Sequence, residues 1–443
     1  MIRGKTRAVA ASIAVLGLVV TSCSAKNNNG AKSSATGSPS SAGSTATGGG
    51  GTTRGVTATT IKVGGLSTLK PPGGQPPFPG LNDGAKARFE RANRDGELKH
   101  KIDFIGTTDD AADQTRNAQG AKQLVLNDKV FAVVPFVTQV AAGSGQFLNT
   151  QKVPFIGWGF TPSSCTEYGY GDTGCIGPGA NQIDLSLSKP LATALKGGAG
   201  KTAVVFSENY AGSDQNAKNM VTSIEGAGFK VVLSDGSLPP DTAGPVTDFS
   251  PYVQKVMTAD NGKPPDLMVN NTNFNNAVGM TGALTAAGFK GAQVDYVAYV
   301  PGLLEAAPDL AKALNGTYLV QQGTGAQAFG GKSWDQIVND LTAIKAPTSV
   351  GLGTVHGYAS ADMFVQAIKK LENDGKDITA ENVAKMFSTG WSYPGLGNAI
   401  GAANFPQAKT SANNCSSMVQ VKGTKYVPIV DLKCGYGLVP IAK

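Results

Sequence analysis

The sequence predicts an α/β fold of two doubly wound parallel-sheet lobes. Three observations predict it. Short apolar strands alternate with amphipathic helices along most of the 443 residues, the pattern of right-handed βαβ units. The alternation runs once and restarts near Thr202. From Gly55 to Lys443 there are about 390 residues, enough for two domain-sized cores.

A different kind of chain comes first. Arg3, Lys5 and Arg7 form a basic start, and the apolar run Ala8 to Val20 is about 13 residues long. A bilayer-spanning helix needs about 20 residues, so this run reads as an export signal. It ends in Leu18-Val19-Val20-Thr21-Ser22-Cys23. That ending resembles the lipobox of bacterial lipoproteins. The resemblance implies cleavage before Cys23, diacylation of that cysteine, and the lipid as the anchor to the outer face of the cytoplasmic membrane. From Ser24 to Arg54 the chain is almost entirely Ser, Thr, Gly, Ala and Asn. Such a segment cannot bury a core and is expected to be a disordered tether. The signal is assigned to residues 1–22 and the tether to 23–55.

Ile61 to Val63 is the first strand, followed by a Pro/Gly-rich loop from Pro71 to Gly80. A helix then aligns Leu81, Ala85, Phe89 and Ala92 at spacings of three and four. Lys101 to Ile105 is a strand, and Gln114 to Asn127 a helix. Val130 to Val134 is continuously apolar, as a strand covered on both faces should be. Another helix precedes the strand Val153 to Ile156. The second run has strands at Thr202 to Phe206, Lys230 to Leu233, Asp266 to Asn270 and Gln293 to Val297. Its first helix aligns Ala217, Met220, Val221 and Ile224. Further helices lie around Val253 to Ala259 and Ala277 to Ala287. A long helix buries Phe364, Ala367, Ile368 and Leu371, and a hairpin turns at Lys422-Gly423-Thr424. Lobe one is expected over 56–182 and 323–409, lobe two over 183–322 and 410–443.

The net charge of +7 suggests nucleic acid, but its distribution removes that reading. Arg3, Lys5, Arg7, Lys26, Lys32 and Arg54 precede the folded part, and no acidic residue precedes Asp83. The rest of the chain holds 32 basic and 31 acidic residues, with no basic stripe for a phosphate backbone. Cys165, Cys175, Cys415 and Cys434 allow three pairings, and an exported chain meets oxidising conditions. The local pairing, Cys165–Cys175 with Cys415–Cys434, is favoured. A zinc site is disfavoured, because there is no C-x-x-C and His100 and His356 lie far from any cysteine in sequence.

The order Thr60-Ile61-Lys62-Val63-Gly64, Gly84 to Asn93, Thr108-Asp109-Asp110 and Lys122 to Val134 is similar to one family. So are Asn209-Tyr210-Ala211-Gly212, Thr247-Asp248-Phe249-Ser250, Ala286-Ala287-Gly288-Phe289-Lys290 and Gly357-Tyr358. Together they resemble the branched-chain amino acid type of periplasmic solute-binding protein, with the type I binding-protein fold. The resemblance implies two lobes joined by a three-stranded hinge, capture of a small ligand between them and delivery to the permease of an ABC importer. A surface sensor of the same fold is the alternative, and a cell-wall hydrolase the remote one.

In open α/β sheets ligands sit beyond the carboxyl ends of the strands. Thr138, Gly159 and Thr161 occupy such places, with a helix start behind Thr138. Hydroxyls, glycine backbone and a helix N-terminus suit a carboxylate or carbonyl oxygen. The resemblance places the ligand's carboxylate there, although both threonines could equally cap helices. Alanine at Thr138 and Thr161 is expected to weaken binding without changing the stability of the free protein. Trp158, Tyr210, Phe274 and Tyr299 follow other strands and would supply apolar walls, and Tyr210 matches a ligand-facing Tyr of the family. One departure stands out. Amino-acid-binding members hold the ammonium with a second-lobe carboxylate, yet Tyr296 to Pro301 has none; Asp295 lies inside the strand and Glu305 beyond it. A buried unpaired ammonium is costly, so amides, aromatic acids and ureas become candidates.

No G-x-S-x-G, H-E-x-x-H, Walker A or strand-following G-x-G-x-x-G sequence is present. The turn Asp109-Asp110 with Asp113 is read as a solvated loop with helix-capping carboxylates rather than a metal site. No enzyme activity, cofactor or metal is expected.

Overall fold

The protein is described from a computed structural model over residues 53–71, 76–176, 181–209, 213–240 and 243–441. The signal, Cys23, most of the tether and Tyr210 lie outside these residues. The first run is β1 (Thr60–Ser67), α1 (Leu81–Asp95), β2 (Lys101–Asp109), α2 (Gln114–Lys122), β3 (Ala132–Val137), α3 (Ala142–Thr150), β4 (Phe155–Gly157) and β5 (Gly169–Gly171). After β6 (Gln182–Asp184) and α4 (Lys189–Ala194) comes a second run. It comprises β7 (Thr202–Glu208), α5 (Ser213–Gly226), β8 (Lys230–Leu238), α6 (Ser250–Met257), β9 (Leu267–Asn271), α7 (Phe274–Ala286), β10 (Ala292–Asp295), α8 (Leu303–Ala306), α9 (Pro308–Ala313) and β11 (Tyr318–Gln322). The chain ends with α10 (Lys332–Ala343), α11 (Leu352–Asn373), α12 (Ala380–Thr389), β12 (Ser392–Tyr393), β13 (Ala403–Asn404), β14 (Cys415–Lys422), β15 (Lys425–Cys434) and β16 (Leu438–Pro440).

Among the described residues, two larger sheets form. The first is parallel throughout, in the order β2-β1-β3-β4-β5. The second runs β15-β14-β11-β10-β9-β7-β8, parallel from β11 to β8, with the β14–β15 hairpin added antiparallel. Alternate β3 residues show why the first sheet is apolar on both faces. Ala132 and Val134 join a core with Phe89 of α1 and Phe364 of α11, whereas Val133 and Phe136 join Leu124 and Leu148 on the opposite face. Each side chain is removed from water, and burying a Val, Leu or Phe contributes about 1.5–3 kcal/mol.

The chain passes between the sheets three times: after β5, after β11 and before β14. The passes meet at Thr173, Gly323 and Asn413. The Asn413 amide donates to Thr173 O at 2.8 Å, and the Gly323 amide to Cys415 O at 2.6 Å. Gly323 has φ +71°, and a Cβ there would lie 2.3 Å from Thr173 Cγ2, so only glycine fits the junction. Both disulfides form as expected, Cys165–Cys175 and Cys415–Cys434. The sequence reading leaves β5, the β6–β16 ribbon, α4, α8, α9, β11, α10, α12, β12 and β13 unassigned. It also runs the second helix to Asn127, where the structure changes to a π-helical turn over Gln123–Asn127.

Candidate functional site

Three residues that each stand one position past a strand end meet at the first-lobe edge: Thr68 after β1, Asp110 after β2 and Thr138 after β3. Parallel register sets Ser67 opposite both Asp109 and Val137, so the next residues are neighbours. Asp110 is fully buried. Its carboxylate accepts from Thr68 Oγ1 (2.7 Å), Asn117 Nδ2 (2.8 Å), the Ala112 amide (2.9 Å) and Thr138 Oγ1. Thr138 is 1% exposed, and its hydroxyl proton goes to Asp110. Asp109 accepts from the amides of Leu69, Lys70 and Ala111. The solvated-loop expectation therefore holds for only part of the turn. Asp113 caps α2 through the Arg116 amide at 2.7 Å, but Asp110 is the centre of a buried knot. A buried carboxylate is tolerated when it is surrounded by donors, and this one has four. For the same reason the structure argues against the expectation that alanine at Thr138 and Thr161 leaves the stability of the free protein unchanged.

Thr161 is different. It opens a short 3₁₀ turn over Pro162–Cys165 without a side-chain cap bond, and it is half-buried. Its hydroxyl keeps its donor. Gly159 has φ +87°, and a Cβ there would approach Gly174 O to 2.0 Å, so glycine lets the loop after β4 lie on the loop after β5. Trp158, half-buried between them, stands edge-on to Phe78 and Phe160 and flat against His356. Its Nε1 is buried without a partner.

The second-lobe aromatics sit deeper. Tyr299 is 3% exposed, packs edge-on to Tyr426 at 4.8 Å, and its hydroxyl accepts from the Ala328 amide at 2.9 Å. Burial pushes its pKa up to about 12. Phe274 starts α7 and leans on the same cluster with Ala298 and Leu304. Among the described residues no ring contact joins this pair to Trp158.

The second-lobe carboxylates are also engaged by backbone. Asp295 is fully buried at the end of β10 and accepts from the amides of Val297 (2.6 Å) and Ala298 (2.8 Å) through Oδ1, while Oδ2 has no partner. Burial raises its pKa to about 6 against those two bonds. Glu208, at the end of β7, accepts from the Asn273 amide (2.9 Å) and Asn276 Nδ2 (2.7 Å). The search around Tyr296 to Pro301 overlooks Glu208; a charged residue closing an otherwise apolar strand was its signal. Two open grooves, of about 660 and 580 Å³, lie elsewhere and are lined by none of the expected site residues.

Hydrogen-bonding groups gathered beyond parallel strand ends, on two sheets joined by three passes, suit small-molecule capture. The model of the periplasmic binding protein family matches residues 60–425. The chain belongs to that family. Periplasmic binding proteins bind solutes and are not enzymes, and the family is an exported one. No helix among the described residues is long and apolar enough to cross a membrane. No curated protein sequence matches the chain. Solved structures share the type I fold. A solute-binding protein of an ABC transporter from Rhodopseudomonas palustris, in complex with 4-hydroxybenzoate, is 16% identical with TM-score 0.65, over 85% of this chain and 98% of that one. A second from that organism, in complex with benzoate, is 15% identical with TM-score 0.63, over 85% and 98%. A branched-chain amino acid ABC transporter protein from Thermus thermophilus, with bound valine, is 12% identical with TM-score 0.65, over 86% and 98%.

Proposed function

We propose that this periplasmic binding protein captures a small polar ligand, an amino acid, amide or related carboxylate, between its lobes and hands it to the permease of an ABC importer. The lipid on Cys23 would hold it at the outer face of the cytoplasmic membrane. The ligand-facing set is Thr138, Trp158, Gly159, Thr161, Tyr210, Phe274 and Tyr299. Within it, Thr138 acts by positioning its loop through Asp110, and Thr161 and Trp158 act as donors. The observation that carries the reading is that the loop after β4, at the carboxyl edge of the first sheet, holds two unengaged donors, the Thr161 hydroxyl and the buried Trp158 Nε1. Contacts to both lobes would bias the three-pass junction toward a closed state.

Thermal-shift screening with amino acids, amides and aromatic acids tests it. A captured ligand at a hundredfold its Kd adds about 2.7 kcal/mol of stability. A panel without any stabiliser counts against capture of this class. Cys23→Ala should move the protein from the membrane fraction to the soluble one.

A further inference from the structure

Four rings meet at the first-lobe edge. Trp158 stands edge-on to Phe78 (6.2 Å, 88°) and Phe160 (5.0 Å, 68°), and lies flat on the His356 imidazole (4.5 Å, 24°). Phe78 and Phe160 are themselves 5.9 Å apart. Two of the four rings carry nitrogen, and both have one idle. His356 is 1% exposed, in the second turn of α11, and its Nδ1 lies 3.0 and 3.1 Å from the two oxygens of Asp172. Asp172, fully buried, also accepts from Ser360 Oγ at 3.0 Å. A carboxylate only accepts, so Nδ1 carries a hydrogen and Asp172 fixes the ring. His356 Nε2 is left buried with no partner, and so is Trp158 Nε1. Buried polar atoms are normally paired, so each of these idle nitrogens asks for a partner.

We infer that Trp158 and His356 form a seat for the acid group of a planar aromatic carboxylate. The indole N–H donates to one of its oxygens, and His356 Nε2 donates to the other when the ring carries hydrogen on both nitrogens, with Asp172 holding Nδ1 from behind. Phe78 and Phe160 take the ligand's ring edge-on or offset, the arrangements that aromatic pairs favour. Such a ligand brings no ammonium, which agrees with Glu208 being bonded to the Asn273 amide and the Asn276 side chain. His356 becomes a specificity-determining residue that the sequence reading did not single out. The inference rests on the capture reading above and names its ligand class.

The test uses the whole mature protein and four probes: benzoate, cyclohexanecarboxylate (acid without the planar ring), benzamide (ring without the charge) and L-leucine. Benzoate should raise the melting temperature and shift one indole N–H resonance in a ¹⁵N spectrum, the resonance that Trp158→Phe deletes. Trp158→Phe keeps a ring at a half-buried position and should weaken benzoate at least tenfold. His356→Phe alone would strand buried Asp172, so it is paired with Asp172→Asn; that double variant should also lose at least tenfold. Equal binding of cyclohexanecarboxylate, unchanged benzoate affinity in both variants, or no indole shift overturns the seat. If leucine or benzamide binds and benzoate does not, the seat falls while capture stands. If none of the four binds, the aromatic-acid seat is wrong, and the wider screen decides capture separately.

Discussion

The carboxyl edges of the two sheets use buried carboxylates in opposite ways. In the first lobe Asp110 accepts four hydrogen bonds, two of them from Thr68 and Thr138, and is satisfied. The groups that remain unengaged there include the donors Thr161 Oγ1 and Trp158 Nε1 and the acceptor Asn117 Oδ1. In the second lobe Asp295 has only two backbone donors, and its Oδ2 stays unpartnered along with Asn270 Oδ1 and Gln293 Oε1. The parallel pairing of Asn270 with Asp295 sets two of these acceptors on adjacent strands. Each edge also holds an idle group of the other kind, Asn117 Oδ1 at the first and Asn273 Nδ2 at the second. A ligand that presents an acceptor to Trp158 Nε1 and a donor to Asp295 Oδ2 would engage one idle group at each edge.

Four measurements sharpen or break the contrast. Asp110→Ala should have the largest effect, because four donors lose their acceptor in a closed interior. We expect about 3 kcal/mol or more from chemical denaturation; a loss under about 1 kcal/mol would mean the knot is not what holds the first edge. Asp295 comes next. Its carboxyl pKa is raised to about 6 in the fold, above the unfolded value. The folded state thus prefers the protonated acid, and stability falls as pH rises from about 4 to about 6. The upper bound is about 3 kcal/mol. Asp295→Asn keeps an acceptor for Val297 and Ala298 and adds a donor, so it should flatten that slope and leave stability at neutral pH no lower; an unchanged slope sinks the second-lobe half. Thr138→Ala should cost about 1–2 kcal/mol, since it removes one of Asp110's donors. Thr161→Val should leave the melting temperature of the free protein alone and weaken an acidic ligand about tenfold, or 1.4 kcal/mol. Equal affinity in calorimetry would remove Thr161 from the site.

Much of the fold was legible because burial leaves a periodic trace. The two-sided apolar run at Val130 to Val134 and the stripe at Leu81, Ala85, Phe89 and Ala92 state their environments directly. The helix α10 was equally written, in Trp334, Ile337 and Leu341 at helical spacing, and went unassigned for want of a clear neighbouring strand. Trp158 was placed from the strand-end rule, and Gly159 and Thr161 from that rule together with the resemblance; their loop follows β4 at its carboxyl edge. His356 gave no comparable signal: one histidine within a buried helix reads as core.

By itself the sequence determined the βαβ alternation, its restart and which residues follow each strand, because these depend on neighbours along the chain. Tertiary structure alone decided what each polar group does. Thr68, Asp110 and Thr138 become partners only because β1 lies between β2 and β3, an order that the succession of strands does not contain. The same holds for Trp158 on His356, almost two hundred positions apart in sequence. A hydroxyl reads alike whether it faces a ligand or a buried carboxylate, and only the arrangement of strands and helices in space tells the two apart.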